Sequence, residues 1–370
     1  MSCHIELSDV QSNGWIRRTG TAIRRCARLA LSSFVRPRPH SHQQQASMFP
    51  RFVLFGCLAA SIAAGTLAST KSVTPPQTLP PNELGRIPVF EYHLIVDKNG
   101  LYERTQDGLR RDLETMYARG YRPISIAEMV DKKIDLPAGQ SPVVLVFDDA
   151  SPSQFRYIEK NGQLEIDPTS AVGMLMAFNR QHSDWRNRAV FCMLPAAQAG
   201  RSFFGDKGIE GQKTEWRYKK VKFLADEGFE LCNHTLYHAR LDRAGAKVEE
   251  FIARGDMAID SAVPGYKVRT FALPLGMWPQ NRELAKRGSW RDAKGRTVTY
   301  SYDAVLEVGG GPSRSPFDPQ FNPMSIPRVQ VIGDSAVTRT LNALEKHGQR
   351  YVSDGNPSTV AKPVTTAAKN

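Results

Sequence analysis

Residues 143–151 read VVLVFDDAS: the apolar run Val143–Phe147 ends on two adjacent carboxylates, Asp148 and Asp149. A continuous apolar run is what a strand covered on both faces requires. In barrels and open α/β sheets, reactive groups sit on the loops at the carboxyl ends of such strands. Side-by-side carboxylates at a dry strand end repel each other. A divalent cation bound by one of them removes most of that cost and lowers the pKa of its neighbour.

A second stretch, ELCNHTLYH at 230–238, also ends a short apolar segment on polar groups, Asn233 and His234, with His238 four residues after His234. That spacing lets two imidazoles reach one ion. Two imidazoles and one carboxylate make a three-ligand site with open positions, the catalytic rather than the structural type. A third segment, VRTFALP, is followed by Leu275 and Gly276 and ends at the same rim if the three strands share a sheet. Either motif alone has a plainer reading, the Asp pair as a helix cap and the His pair as surface decoration.

Around these stretches, strand-like and helix-like segments alternate. IPVFEYHLI (87–95) reads as a strand. Leu109, Leu113, Met116 and Tyr117 fall on one helical face. AVFCML (189–194) and FELC (229–232) read as strands, with a helix over YKKVKFLADEG between them that Gly228 ends. Helices near 244–262 and 280–287 and strands over TVTYSYDAVLE and IPRVQVI complete the series. Such alternation predicts parallel strands with helices outside, in a barrel or a doubly wound sheet. The connection between Asp149 and Phe191 is long, and Phe155, Tyr157 and Trp185 within it either stack on a ligand or pack the insert.

The chain has 370 residues, with 41% hydrophobic and 23% charged content, as in a globular protein. Of the net charge of +12, half lies in residues 1–85, where nine Lys and Arg face three acids. The remainder is modest and lacks the clustered Arg and aromatic pattern of nucleic-acid readers, so no nucleic-acid partner is expected. Residues 48–69 have a basic start, an apolar stretch and small residues at a cleavage point, the layout of a secretory signal. Residues 1–47 match no folded element and read as unstructured, with Met48 as the true start. The alternative is a basic tail before a membrane anchor, although the apolar run of about 13 residues is short of the roughly 20 a spanning helix needs. LFGC, ending at Cys57, resembles a lipoprotein attachment box. Residues 70–86 are Pro-rich and read as a linker, 87–352 as the catalytic domain and 353–370 as a C-terminal tail. Export to the periplasm, envelope or medium is therefore expected. Cys192 and Cys232 are the only cysteines in the body, either free and buried or paired.

VFDD followed by NHTLYH resembles the first two motifs of the NodB-type polysaccharide deacetylases, carbohydrate esterase family 4. FALPLG (271–276) resembles a third, and the resemblance covers roughly residues 87–335. It implies a distorted (β/α) barrel of about seven strands, the NodB homology or glycoside hydrolase/deacetylase type. It also implies a divalent metal, zinc with iron, cobalt or nickel as alternatives, held by Asp149, His234 and His238. Asp148 would be the general base, and a backbone N–H near Leu275 the oxyanion donor. The reaction would remove N-acetyl groups from an N-acetylhexosamine-containing polysaccharide.

Three departures accompany the matches. Ala272 stands where many members carry an Arg paired to the base, and Leu275 replaces a frequent Tyr. The only histidine after His238 is His347, in LEKHGQR, which reads as an exposed helix end rather than the late catalytic His of many members. His93, in EYHLI, either lines the rim or packs under the site, and the second is expected. The missing Arg and late His favour the alternative of a catalytically impaired polysaccharide-binding protein of the same fold; the intact Asp148 disfavours it.

Overall fold

The computed structural model describes residues 79–196 and 202–363. Seven parallel strands, β1 (Val89–Tyr92), β2 (Ser141–Phe147), β3 (Val190–Met193), β4 (Glu230–Asn233), β5 (Thr270–Ala272), β6 (Ala304–Gly310) and β7 (Ile326–Gln330), follow one another around a ring. The ring closes where β1 pairs with both β2 and β7. This is the expected distorted barrel. A further short strand, Tyr121–Pro123, pairs only with the start of β2.

The helices lie between or after strands: α1 (Gln106–Ala118), α2 (Ile126–Val130), α3 (Ala171–Gln181), α4 (Arg217–Asp226), α5 (Val248–Ala262) and α6 (Ala336–Lys346). Local chemistry starts them where the sequence places a cap. Thr105 accepts from the Gly108 N–H at 3.0 Å, and Ser125 and Glu128 form a capping box on α2. Gly228, at φ 84°, follows α4 in the left-handed conformation that suits a helix stop.

Successive residues of each strand serve different cores. Val143, Leu145 and Phe147 join the helices in one layer with Leu109, Met116 and Leu175. Val144 and Val146 belong to a second cluster with Val89, Val190, Cys192, Cys232, Ala272, Leu306 and Ile326, which fills the barrel. Its amino-terminal end is plugged by Ile124, Ile126, Met129, Leu136 and Tyr351. Cys192 and Cys232 lie opposite each other on β3 and β4 and are joined by a disulfide.

The helix expected near 280–287 is only a short 3-10 turn, Arg282–Ala285, followed by a hairpin of Arg287–Arg291 with Thr297–Ser301. The turn chemistry decides this: the Asp292 carboxylate accepts from the Lys294 and Arg296 N–H groups, and Gly295 takes φ 81°. The strand expected over TVTYSYDAVLE consequently divides into that hairpin arm and β6.

The segments expected over 1–69 lie outside the described residues. The expected linker is described from Leu79 onward. There Asn82 bridges to Val352, and Glu83 is buried, accepting from the Ala361 N–H at 2.9 Å and the Tyr351 hydroxyl at 3.2 Å. The start of the body and the beginning of the tail thus hold each other. No helix among the described residues is long and apolar enough to cross a membrane.

Candidate active site

The inward-facing series of four strands changes character at one level. Val89 is followed by Glu91, Val146 by Asp148, Cys232 by His234, and Ile326 by Arg328, each two residues on and therefore on the same face. Three of these polar groups, Glu91, Asp148 and His234, border a cavity of about 280 Å³ whose lining also includes His93, Asp149 and His238.

Asp149 and the two histidines converge. Asp149 Oδ1 lies 3.7 Å from His234 Nε2 and 3.6 Å from His238 Nε2. One ligand atom from each of the three falls within 4.8 Å of the others. The other nitrogen of His234, Nδ1, lies 2.9 Å from the Ala272 carbonyl. A carbonyl only accepts, so Nδ1 carries the proton and Nε2 presents a lone pair to the cluster. Nitrogen and carboxylate donors in this number suit a divalent transition metal. The residues fit the ion that the motifs imply.

Asp148 Oδ2 lies 3.9 Å from His234 Nε2, but its closest partner is a cation. Both of its oxygens accept from Arg328 Nη1 at 2.9 Å, and both residues are buried. Burial alone would push the Asp148 carboxyl up, but the Arg328 guanidinium, followed by His234 and His93, outweighs it and holds the pKa at about 2. Arg328 therefore does what an Arg at position 272 would have done, from a different strand. In IPRVQVI the signal was a cation two residues after the inward-facing Ile326.

Glu91 shares the same guanidinium, 3.3 Å from Arg328 Nε. Burial pushes its pKa up to about 7 despite that cation. Its Oε1 lies 3.4 Å from His93 Nε2, and burial lowers the His93 pKa. His93 lines the cavity instead of packing beneath it, because β1 ends one residue earlier and the backbone turns there into the rim. His93, Glu91 and Asp148 form a second convergent group beside the first.

Backbone strain gathers at the same place. Asp149 (φ 79°), Ala150 (45°), Thr235 (64°), His238 (58°) and Leu275 (56°) are all left-handed without being glycine. Such conformations cost of order 1–3 kcal/mol each and persist where surrounding structure over-determines them. Leu275 is half-exposed on the cavity wall, in the short 3-10 turn that follows β5.

Other expectations resolve differently. Phe155 and Trp185 are buried, 0% and 1% exposed, and pack the insert against Phe204, Phe223 and Phe178. The connection they belong to folds as a hairpin (Tyr157–Lys160 with Gln163–Ile166) and α3. Residues 151–189 contribute nothing to the cavity lining. His347 caps the carboxyl end of α6, exposed, and does not line the cavity.

No family model matches the sequence, and no curated protein matches it. Among solved structures, a Streptococcus pyogenes deacetylase determined with acetate is 16% identical, with a TM-score of 0.49, over 70% of this chain and 98% of that one. A polysaccharide deacetylase from Bacillus cereus is 15% identical, with a TM-score of 0.48, over 70% and 69%. A pseudoenzyme of carbohydrate esterase family 4 from Bacillus anthracis is 15% identical, with a TM-score of 0.27, over 48% and 56%. These proteins are what the chain is similar to, and the chemistry open to it is set by the residues at its own barrel mouth.

Proposed function

We propose that this chain is a metal-dependent hydrolase that removes N-acetyl groups from N-acetylhexosamine units of a polysaccharide. The observation that carries the reading is the division between two adjacent carboxylates: Asp149 faces two imidazoles while Asp148 is held by a cation of its own.

A divalent ion held by Asp149, His234 and His238, zinc or alternatively iron, cobalt or nickel, would supply Lewis-acid polarisation of the acetyl carbonyl. Asp148 accepts a proton from the attacking water at its carboxylate, which Arg328 keeps ionised in a buried place. General-base assistance of this kind is typically worth ~10²- to 10⁴-fold. The backbone N–H of Leu275 serves the developing oxyanion from the opposite wall. Protonation of the leaving amine falls to His93, the cavity-lining imidazole that His347 cannot replace, with Glu91 beside it as proton store. Arg328 and His93 thus fill the two vacancies that favoured a binding protein without turnover.

Export is part of the proposal, supported by the signal-like segment at 48–69 and by the Cys192–Cys232 disulfide, a bond that persists in oxidising compartments. The test is metal analysis of the purified protein followed by acetate assays on N-acetylglucosamine oligomers. Stoichiometric metal and acetate release that a chelator abolishes are expected. Metal-loaded protein that binds the oligomers and releases no acetate would establish the binding-protein reading instead.

A further inference from the structure

The two histidine ligands lie on a turn, Asn233–His238, that contains two left-handed residues and needs an external brace. Asn233 supplies the contact. Its Oδ1 accepts from the Thr235 N–H at 2.7 Å, which fixes the strained residue next to His234. That contact exists only while the amide keeps its orientation, because a flipped amide would present N–H to N–H.

The orientation is set from behind. Asn233 Nδ2 lies 2.7 Å from Asp256 Oδ1, 2.9 Å from the Ile252 carbonyl and 2.8 Å from the Tyr302 hydroxyl. The Tyr302 hydroxyl donates to the same Asp256 oxygen at 3.0 Å. Asp256 thereby accepts from both partners, and it is the one acidic side chain in the group. It reaches Asn233 because its neighbour on α5 is Gly255, where any Cβ would collide with the Asn233 amide. The same helix takes a second hold on the turn, the Phe251 carbonyl accepting from the Leu236 N–H at 3.0 Å.

We propose that Asp256 is a positioning residue for the metal-ligating turn: it fixes the Asn233 amide, which in turn fixes Thr235 and the placing of His234 and His238. Asp256 does not line the cavity, so it acts only through Asn233. The inference rests on the reading of His234 and His238 as ligands.

The test compares Asp256→Leu, Asp256→Asn and Tyr302→Phe with Ile252→Val, a packing change on the same helix. Affinity for zinc is measured by chelator competition, the ligand field by the absorption of the cobalt-loaded protein, and the apo turn by hydrogen exchange at the Thr235 N–H. Asp256→Leu should weaken zinc binding by about 10- to 100-fold, the range for outer-shell partners. It should also alter the cobalt spectrum and accelerate exchange at Thr235 in the apo protein. Asp256→Asn, which keeps an acceptor oxygen, should recover most of the affinity, and Tyr302→Phe should lose less than Asp256→Leu. Ile252→Val should lower the thermal midpoint without changing affinity or spectrum. Wild-type affinity in Asp256→Leu, or in Tyr302→Phe if the Leu variant does not fold, overturns the positioning role alone. So does an equal loss of affinity in Ile252→Val, which would mark a general effect of stability. Wild-type protein that takes up no metal overturns the ligand reading together with it.

Discussion

The two ends of the barrel interior are built from the same strands and have opposite characters. At the amino-terminal end, Val89, Val144, Val190 and Ile326 meet the plug of Ile124, Met129 and Tyr351, and the contacts are apolar. At the carboxyl end, the inward series of four strands ends on Glu91, Asp148, His234 and Arg328, all buried. One end is optimised for packing; the other holds charge in a dry place and bends its backbone into costly conformations. The difference shows that stability and chemistry share this barrel by depth, with the boundary at a single side-chain layer.

The largest effect that should separate the two ends comes from the carboxylate pair. Asp149→Asn removes a charge-neutralising ligand and is expected to cost metal and activity together. Asp148→Asn should keep the metal and slow acetate release by ~10²- to 10⁴-fold. Metal analysis beside the rate decides it, and equal metal loss in both variants would erase the assigned division.

Arg328→Met tests whether the mouth also matters to stability. Removing the guanidinium that Glu91 and Asp148 share leaves buried charge poorly compensated, which typically costs about 3–5 kcal/mol. Arg328 is what depresses Asp148, so its loss should raise that pKa and move the acid limb of the rate profile to higher pH. Denaturant unfolding and the pH profile measure the two consequences.

At the opposite end, Met129→Ala should cost about 2–5 kcal/mol through cavity formation, with metal content and turnover per folded molecule unchanged. A loss of metal there would mean that the ends are not separable.

The smallest effect concerns Lys220, buried on α4 with its ammonium 2.6 Å from both the Phe204 carbonyl and Gln212 Oε1. Burial, and then Arg156, lower its pKa to about 7. The unfolded chain holds that proton up to the ordinary lysine range, so stability should rise with pH from about 7 up to that range and be flat below about 7. Lys220→Met should flatten that rise in a series of thermal midpoints.

Much of this was legible in the chain itself. VVLVFDD and ELCNHTLYH end on their polar residues because the strands end there, and the alternating elements read as parallel strands with helices outside, while the choice of a barrel over a doubly wound sheet came from the family resemblance. Arg328 escaped notice because a strand Arg ordinarily points outward. Alternation puts it on the same face as Ile326, and only the closed ring shows that this face is the inward one. His93 was misplaced for a similar reason, since the end of β1 moves by one residue on structural detail that no apolar pattern records. Phe155 and Trp185 could have gone either way, and their burial in the core between strands and helices decides for packing. The hairpin after residue 286 was hidden by turn chemistry centred on Asp292, which competes with the helix-forming RELAKR before it.

Arg328 also gives the molecule a biosynthetic order. It stands 180 residues after Asp148 and on the strand whose docking against β1 closes the ring. Until that last strand leaves the ribosome and seats itself, Asp148 and Glu91 lack the guanidinium they share, even though Asp149, His234 and His238 have already been made. A nascent or truncated chain ending before β7 would carry Asp149, His234 and His238 and lack the cation that holds Asp148 ionised. On the proposed chemistry, acetate release would report completion of the barrel, and a metal-loaded but silent species would be the signature to seek among fragments that stop short of it.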